Sequence, residues 1–144
     1  GVPVFAWSPQ IPGGTNNANE GTQLWFWNGE RPIDWGVRLP DIMTFHLQEH
    51  DPALYLFGQH PDYDSGRIYK VTLDGVIASV PVSGAPAGFH HAIVHDGALY
   101  AGSGSRSGGT ASIYKMGDSG FALSGEFPPG LNNFGTFADR KSVV

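Results

Sequence analysis

The chain has 144 residues, carries 8 Lys and Arg against 13 Asp and Glu for a formal net charge of −5, and contains no cysteine. That length suits one domain, and the dispersed cations offer no phosphate-neutralising patch, so nucleic acid is not the expected partner. Without cysteine there is no disulfide framework, thiol nucleophile or thiolate metal site.

The 21 glycines and 11 prolines are scattered along a chain that is 40% apolar and 15% charged. This composition predicts many short strands joined by tight turns, an all-β fold. No apolar run approaches the roughly 18 to 20 residues needed to cross a bilayer, so no membrane span is expected. The opening "GVPVFAWSPQ" lacks the basic and long apolar regions of a secretion signal and begins without Met. The expectation is a soluble piece, processed or excised from a longer chain.

In chain order, residues 1–40 predict three strands: "VFAWS" from Val4, "QLWFWNG" from Gln23, and "IDWGVRLP" closing on Leu39-Pro40. Residues 45–84 predict four, the first opening at Phe45, the third over "GRIYKVT", with a turn at Asp74-Gly75 before a fourth that closes on Val80-Pro81. Residues 89–130 predict four more, near Phe89–Val94, Ala98–Gly102, Ala111–Met116 and Phe121–Phe127. Asp96-Gly97 is a turn that favours positive φ. The tail 134–144, "FGTFADRKSVV", begins like another first strand.

These segments repeat. Phe45-His46 matches Phe89-His90 at a shift of 44, whereas His50-Asp51 with His95-Asp96, Leu54-Tyr55 with Leu99-Tyr100, and Ile68-Tyr69-Lys70 with Ile113-Tyr114-Lys115 match at 45. One inserted residue within the first strand reconciles the two shifts. A period in the forties filled with short strands is the pattern of propeller blades.

On these residues the chain resembles the β-propeller superfamily: "HHAIVHDGALYAGSG" is similar to the start of a kelch-type blade, and "GRIYKVTLDG" to blades of the YVTN or YWTD kind. The resemblance implies blades of four antiparallel strands, about three per chain. They form either half of a six-bladed ring or a fragment of a longer propeller, with 134–144 as the innermost strand of a further blade.

Five of the six histidines lie on the two first strands. In a propeller those strands are innermost, so His46 and His90, at matched positions, are expected to face a central channel, where they form a polar pair or share a transition metal or an anionic ligand. "HPDYDSGRIY" places Asp62, Asp64 and Gly66 in a D-x-D-x-G spacing that suits calcium, although Asp, Ser and Gly form such turns without any metal.

"GSGSRSGG" from Gly102 lacks the lysine of a phosphate loop, and no serine has a nucleophile-elbow context. All four tryptophans fall in the first copy. Trp25 and Trp27 align with Tyr69 and Tyr114 and with Val71 and Met116, which predicts packing between blades. Trp7 and Trp35 are the surface candidates for stacking on a sugar or anchoring a protein.

The functional expectation is a non-catalytic binding or assembly module. Its partner is a second copy of itself or the rest of a propeller, its loops are presented to a glycan or a protein, and its setting is extracellular, envelope or virion-associated. The alternative is a metal-dependent enzyme built on the channel histidines.

Overall fold

The computed structural model describes residues 1–8, 21–61, 65–84, 86–104, 110–130 and 138. Among these there is no helix, and eleven strands form three separate antiparallel sheets. Sheet 1 contains β1 (Val4–Trp7), β2 (Thr22–Trp27) and β3 (Pro32–Leu39). Sheet 2 contains β4 (Met43–His50), β5 (Ala53–Gln59), β6 (Gly66–Thr72) and β7 (Ile77–Ser79). Sheet 3 contains β8 (Phe89–His95), β9 (Ala98–Ser103), β10 (Ser112–Gly117) and β11 (Gly120–Glu126). Each sheet is a meander in which every strand pairs with its neighbour in sequence.

Local chemistry sets the hairpins. In the turn between β8 and β9, Asp96 and Gly97 both have positive φ, 47° and 74°, the sign pattern of a type I′ turn. At the matching turn between β4 and β5, Asp51 has φ 44° but is followed by proline, whose ring holds φ negative. Only the first central residue is then left-handed there, the sign pattern of type II′.

The sheets stack in chain order through two apolar clusters. The first joins sheet 1 to sheet 2: Leu24, Val37 and Leu39 with Ile42, Leu56 and Val71, flanked by Val4, Ala6, Trp35, Leu47 and Tyr69. The second joins sheet 2 to sheet 3, with Tyr55, Phe57 and Ile68 meeting Phe89, Leu99, Ala101, Tyr114 and Phe121. Each sheet therefore has a front, toward the preceding sheet, and a back, toward the following one.

β5, "ALYLFGQ", alternates between both clusters, Leu54 and Leu56 to the front and Ala53, Tyr55 and Phe57 to the back. That is why it reads as an unbroken apolar run instead of an alternating strand. β9 alternates buried and half-buried residues, because among the described residues only its front is covered.

Polar ties reinforce the stack. The fully buried Thr22 donates its hydroxyl to the Ile42 carbonyl at 2.8 Å, and its Oγ1 accepts from the Thr44 N–H at 3.2 Å, joining sheet 1 to β4. Residues 81–83 run beside the start of β11, with the Phe121 N–H donating to the Pro81 carbonyl and the Ser83 N–H to the Phe121 carbonyl.

One sequence expectation is corrected by the register. β4 places Thr44 opposite Gly58 and His46 opposite Phe57, with Phe45 as the bulged residue between them. β8 places Phe89 opposite Ser103 and His91 opposite Gly102, with His90 as the bulged residue. The offset is thus 45 throughout (Thr44 to Phe89, Gly58 to Ser103). His91, not His90, is the equivalent of His46, and no residue is inserted in the first strand.

Candidate functional site

The histidines of β4 and β8 meet in a short ladder. Equivalent residues touch: Phe45 stacks on His90 with ring centroids 4.7 Å apart and planes 10° off parallel, and His46 meets His91 edge-on at 6.2 Å. The expected pairing of His46 with His90 is replaced by His46 with His91, as the corrected register requires. The Nε2 of His46 is buried and makes no hydrogen bond among the described residues.

Burial first, and then the neighbouring His46, hold the His91 pKa below the ordinary 6.5. The unfolded chain therefore binds this proton more tightly than the folded one, and the stability tied to a neutral His91 is lost as pH falls below the unfolded value. Two imidazoles alone do not complete a metal site, and the described residues contain no group of three or more His, Asp or Glu that could hold an ion. Asp62 and Asp64 of the acidic loop lie outside the described residues.

The second feature is the front of sheet 1. Strand register puts Phe5 opposite Trp25, and Trp25 and Trp27 opposite Asp34 and Pro32, so these side chains share one face. Phe5, Trp7, Trp25, Trp27 and Pro32 line an open groove of about 460 Å³ on it. Trp7 is 66% exposed and Phe5 48%. At its border the Arg38 guanidinium grips the Asp34 carboxylate through two contacts, 2.5 and 2.9 Å, and the Gly36 N–H donates to the same carboxylate at 2.9 Å. These bonds, that to Arg38 foremost, lower the Asp34 pKa to about 2. The pair is solvated and stays ionised at any neutral pH.

Of the residues singled out in the sequence, Trp7 lies on this face. Trp35 does not: it is half buried and packs into the first apolar cluster on the opposite side of the sheet. Trp25 and Trp27, expected between sheets, line the open groove instead. Their positions are still those of an inter-sheet face, since Tyr69 and Val71 pack against sheet 1, and Tyr114 and Met116 against sheet 2. The alternation of "QLWFWNG" and its alignment with covered residues were the signals that mark this face. What they lacked was the fact that no described sheet precedes it.

No protein-family model matches the sequence, and no curated protein matches it.

Proposed function

We propose that the three sheets are consecutive blades of a β-propeller and that the chain is a non-catalytic binding and assembly module. The observation that carries this reading is the contact between equivalent residues of β4 and β8, Phe45 on His90 and His46 on His91, in sheets that otherwise stack front to back. Blades set around an axis bring their first strands together in this way. The axis is then lined by aromatic and imidazole rings, and the hairpin loops at the two ends are the surfaces offered to a glycan or protein in an extracellular, envelope or virion setting.

The first blade has a place ready for its missing strand. Among the described residues β1 pairs with β2 alone, and its other edge faces a groove of about 440 Å³ lined by residues 4–7 of β1 and 44–47 of β4. A strand added there would satisfy the open backbone edge of β1. The tail 134–144, which reads as a first strand and of which the described residues include 138 alone, is the proposed donor.

The His46–His91 contact favours one second reading, a metal-dependent enzyme. Dialysis against zinc or copper followed by elemental analysis separates the two. The expected result is far less than one ion per chain. One tightly held ion per chain, lost in both His46→Ala and His91→Ala, would replace the binding-module reading with the metal one.

A further inference from the structure

The faces of the three sheets vary in size at matched positions, and the variation is compensated at each junction. Where β5 places Phe57 on the back of sheet 2, β1 places Ala6 on the back of sheet 1 and β9 places Gly102 on the back of sheet 3. At the neighbouring front position the residues are Phe5, Leu56 and Ala101 in sheets 1, 2 and 3. At the first junction the small Ala6 belongs to the same cluster as the larger Leu56, and at the second the large Phe57 belongs with the small Ala101. Close packing demands this exchange of volume.

Two faces remain without a described neighbour, the front of sheet 1 and the back of sheet 3, and they depart from the internal faces in opposite directions. The front of sheet 1 is larger at four matched sites, Phe5 for Leu56 and Ala101, Trp7 for Gly58 and Ser103, Trp25 for Tyr69 and Tyr114, and Trp27 for Val71 and Met116, and smaller at Gln23 for Arg67 and Pro32 for Ile77 and Phe121. The back of sheet 3 keeps the apolar pattern of the covered back of sheet 2, with Tyr100 for Tyr55 and Ile113 for Ile68, but replaces the large Phe57 by Gly102. A bulky aromatic ridge at one end of the stack thus answers the loss of an aromatic side chain at the other. Lys115, with its ammonium 5.7 Å over the Tyr100 ring, stands where Lys70 lies beside Tyr55 in sheet 2, so a lysine there is compatible with a covered face.

We infer that the front of sheet 1 is covered by the back of sheet 3 from a second copy of this chain, in a head-to-tail junction. The lining of the groove is that of a packing face: its five residues offer no polar side chain beyond the indole N–H groups. A head-to-tail junction closes into a ring or runs on as a filament. Two copies give six sheets, within the four to eight blades of known propellers. Only this closure rests on the blade reading; the junction rests on the stacking of the sheets.

The test uses light scattering and sedimentation on the intact chain, with Trp27→Arg to spoil the front and Ile113→Arg to spoil the back. Circular dichroism and the melting temperature of each variant serve as the check on folding. The expected result is a concentration-dependent mass of two chains for the parent and at least a tenfold weaker association for each variant. An equimolar mixture of the variants should recover a dimer, because one intact front still meets one intact back. A filament of growing mass, broken by the same variants, would uphold the junction and overturn the six-bladed ring. A monomer at all concentrations, or a dimer broken by Trp27→Arg and untouched by Ile113→Arg, would overturn the junction itself, the latter outcome meaning that two fronts meet.

Discussion

Phe57→Ala should lower the stability of the chain by about 3 to 5 kcal/mol, the usual cost of emptying a buried aromatic site. Phe57 is fully buried in the second cluster and meets the Phe121 ring edge-on, with centroids 5.8 Å apart. The cavity would open between two sheets, each held by its own hydrogen bonds, so little of it can be refilled by collapse. Domains of this kind are stable by only about 5 to 15 kcal/mol in total, so the loss would be plain in a denaturant melt. Leu123→Ala, on a residue 51% exposed, is the matched control and should fall within about 0.5 kcal/mol of the parent. A Phe57 variant as stable as that control would mean that sheets 2 and 3 do not pack as described.

Gly58→Ala should cost about 3 kcal/mol through the opposite defect. A β-carbon at Gly58 would lie 1.9 Å from the Met43 carbonyl oxygen and 2.8 Å from its carbon. These are backbone atoms of the paired strand β4, next to its bulge, and they cannot swing aside as a side chain would. To admit the methyl group β4 must shift, and with it the Thr22–Thr44 tie to sheet 1. Gly125→Ala is the comparison: nothing lies within 4 Å of its would-be β-carbon, so the substitution should be neutral or slightly stabilising. Equal melting midpoints for the two variants would count against the register of β4 on β5.

The strands were legible because they are short and bounded by residues with strong turn chemistry. "FHHAIVH", "ALYAGS" and the segments around Tyr114 and Leu123 fall within one or two residues of β8 to β11, and Asp96-Gly97 makes the turn its composition demands. The register of the first strands was misread for an equally definite reason. The dipeptide Phe-His occurs at both 45–46 and 89–90, and matching identical letters outweighed a constant spacing. The backbone instead aligns the two bulges, so that phenylalanine and histidine hold equivalent places at 45 and 90. A bulge is set by hydrogen-bond geometry between strands, which no single strand reveals.

The candidate site was half legible. Alternation shows that Trp25 and Trp27 share a face, and repetition shows that this face is of the inter-sheet type. Neither shows whether a neighbour covers it, because coverage depends on chain placed elsewhere. Trp35 misled in the reverse sense: by simple alternation it shares its face of β3 with Val37 and Leu39, and that face packs into the cluster behind the sheet.

The two-sided burial of β5 also sets the order in which the molecule comes apart. The two apolar clusters have no residue in common, so sheets 1 and 3 each lean on sheet 2 and not on one another. Opening at either end exposes one cluster and leaves the other intact, and only the loss of both frees the middle strand. Unfolding in such an array starts at its ends and travels inward. The amide hydrogens of residues 53–59 should accordingly be the deepest store of protection among the described residues, and the slowest of these to trade with deuterium.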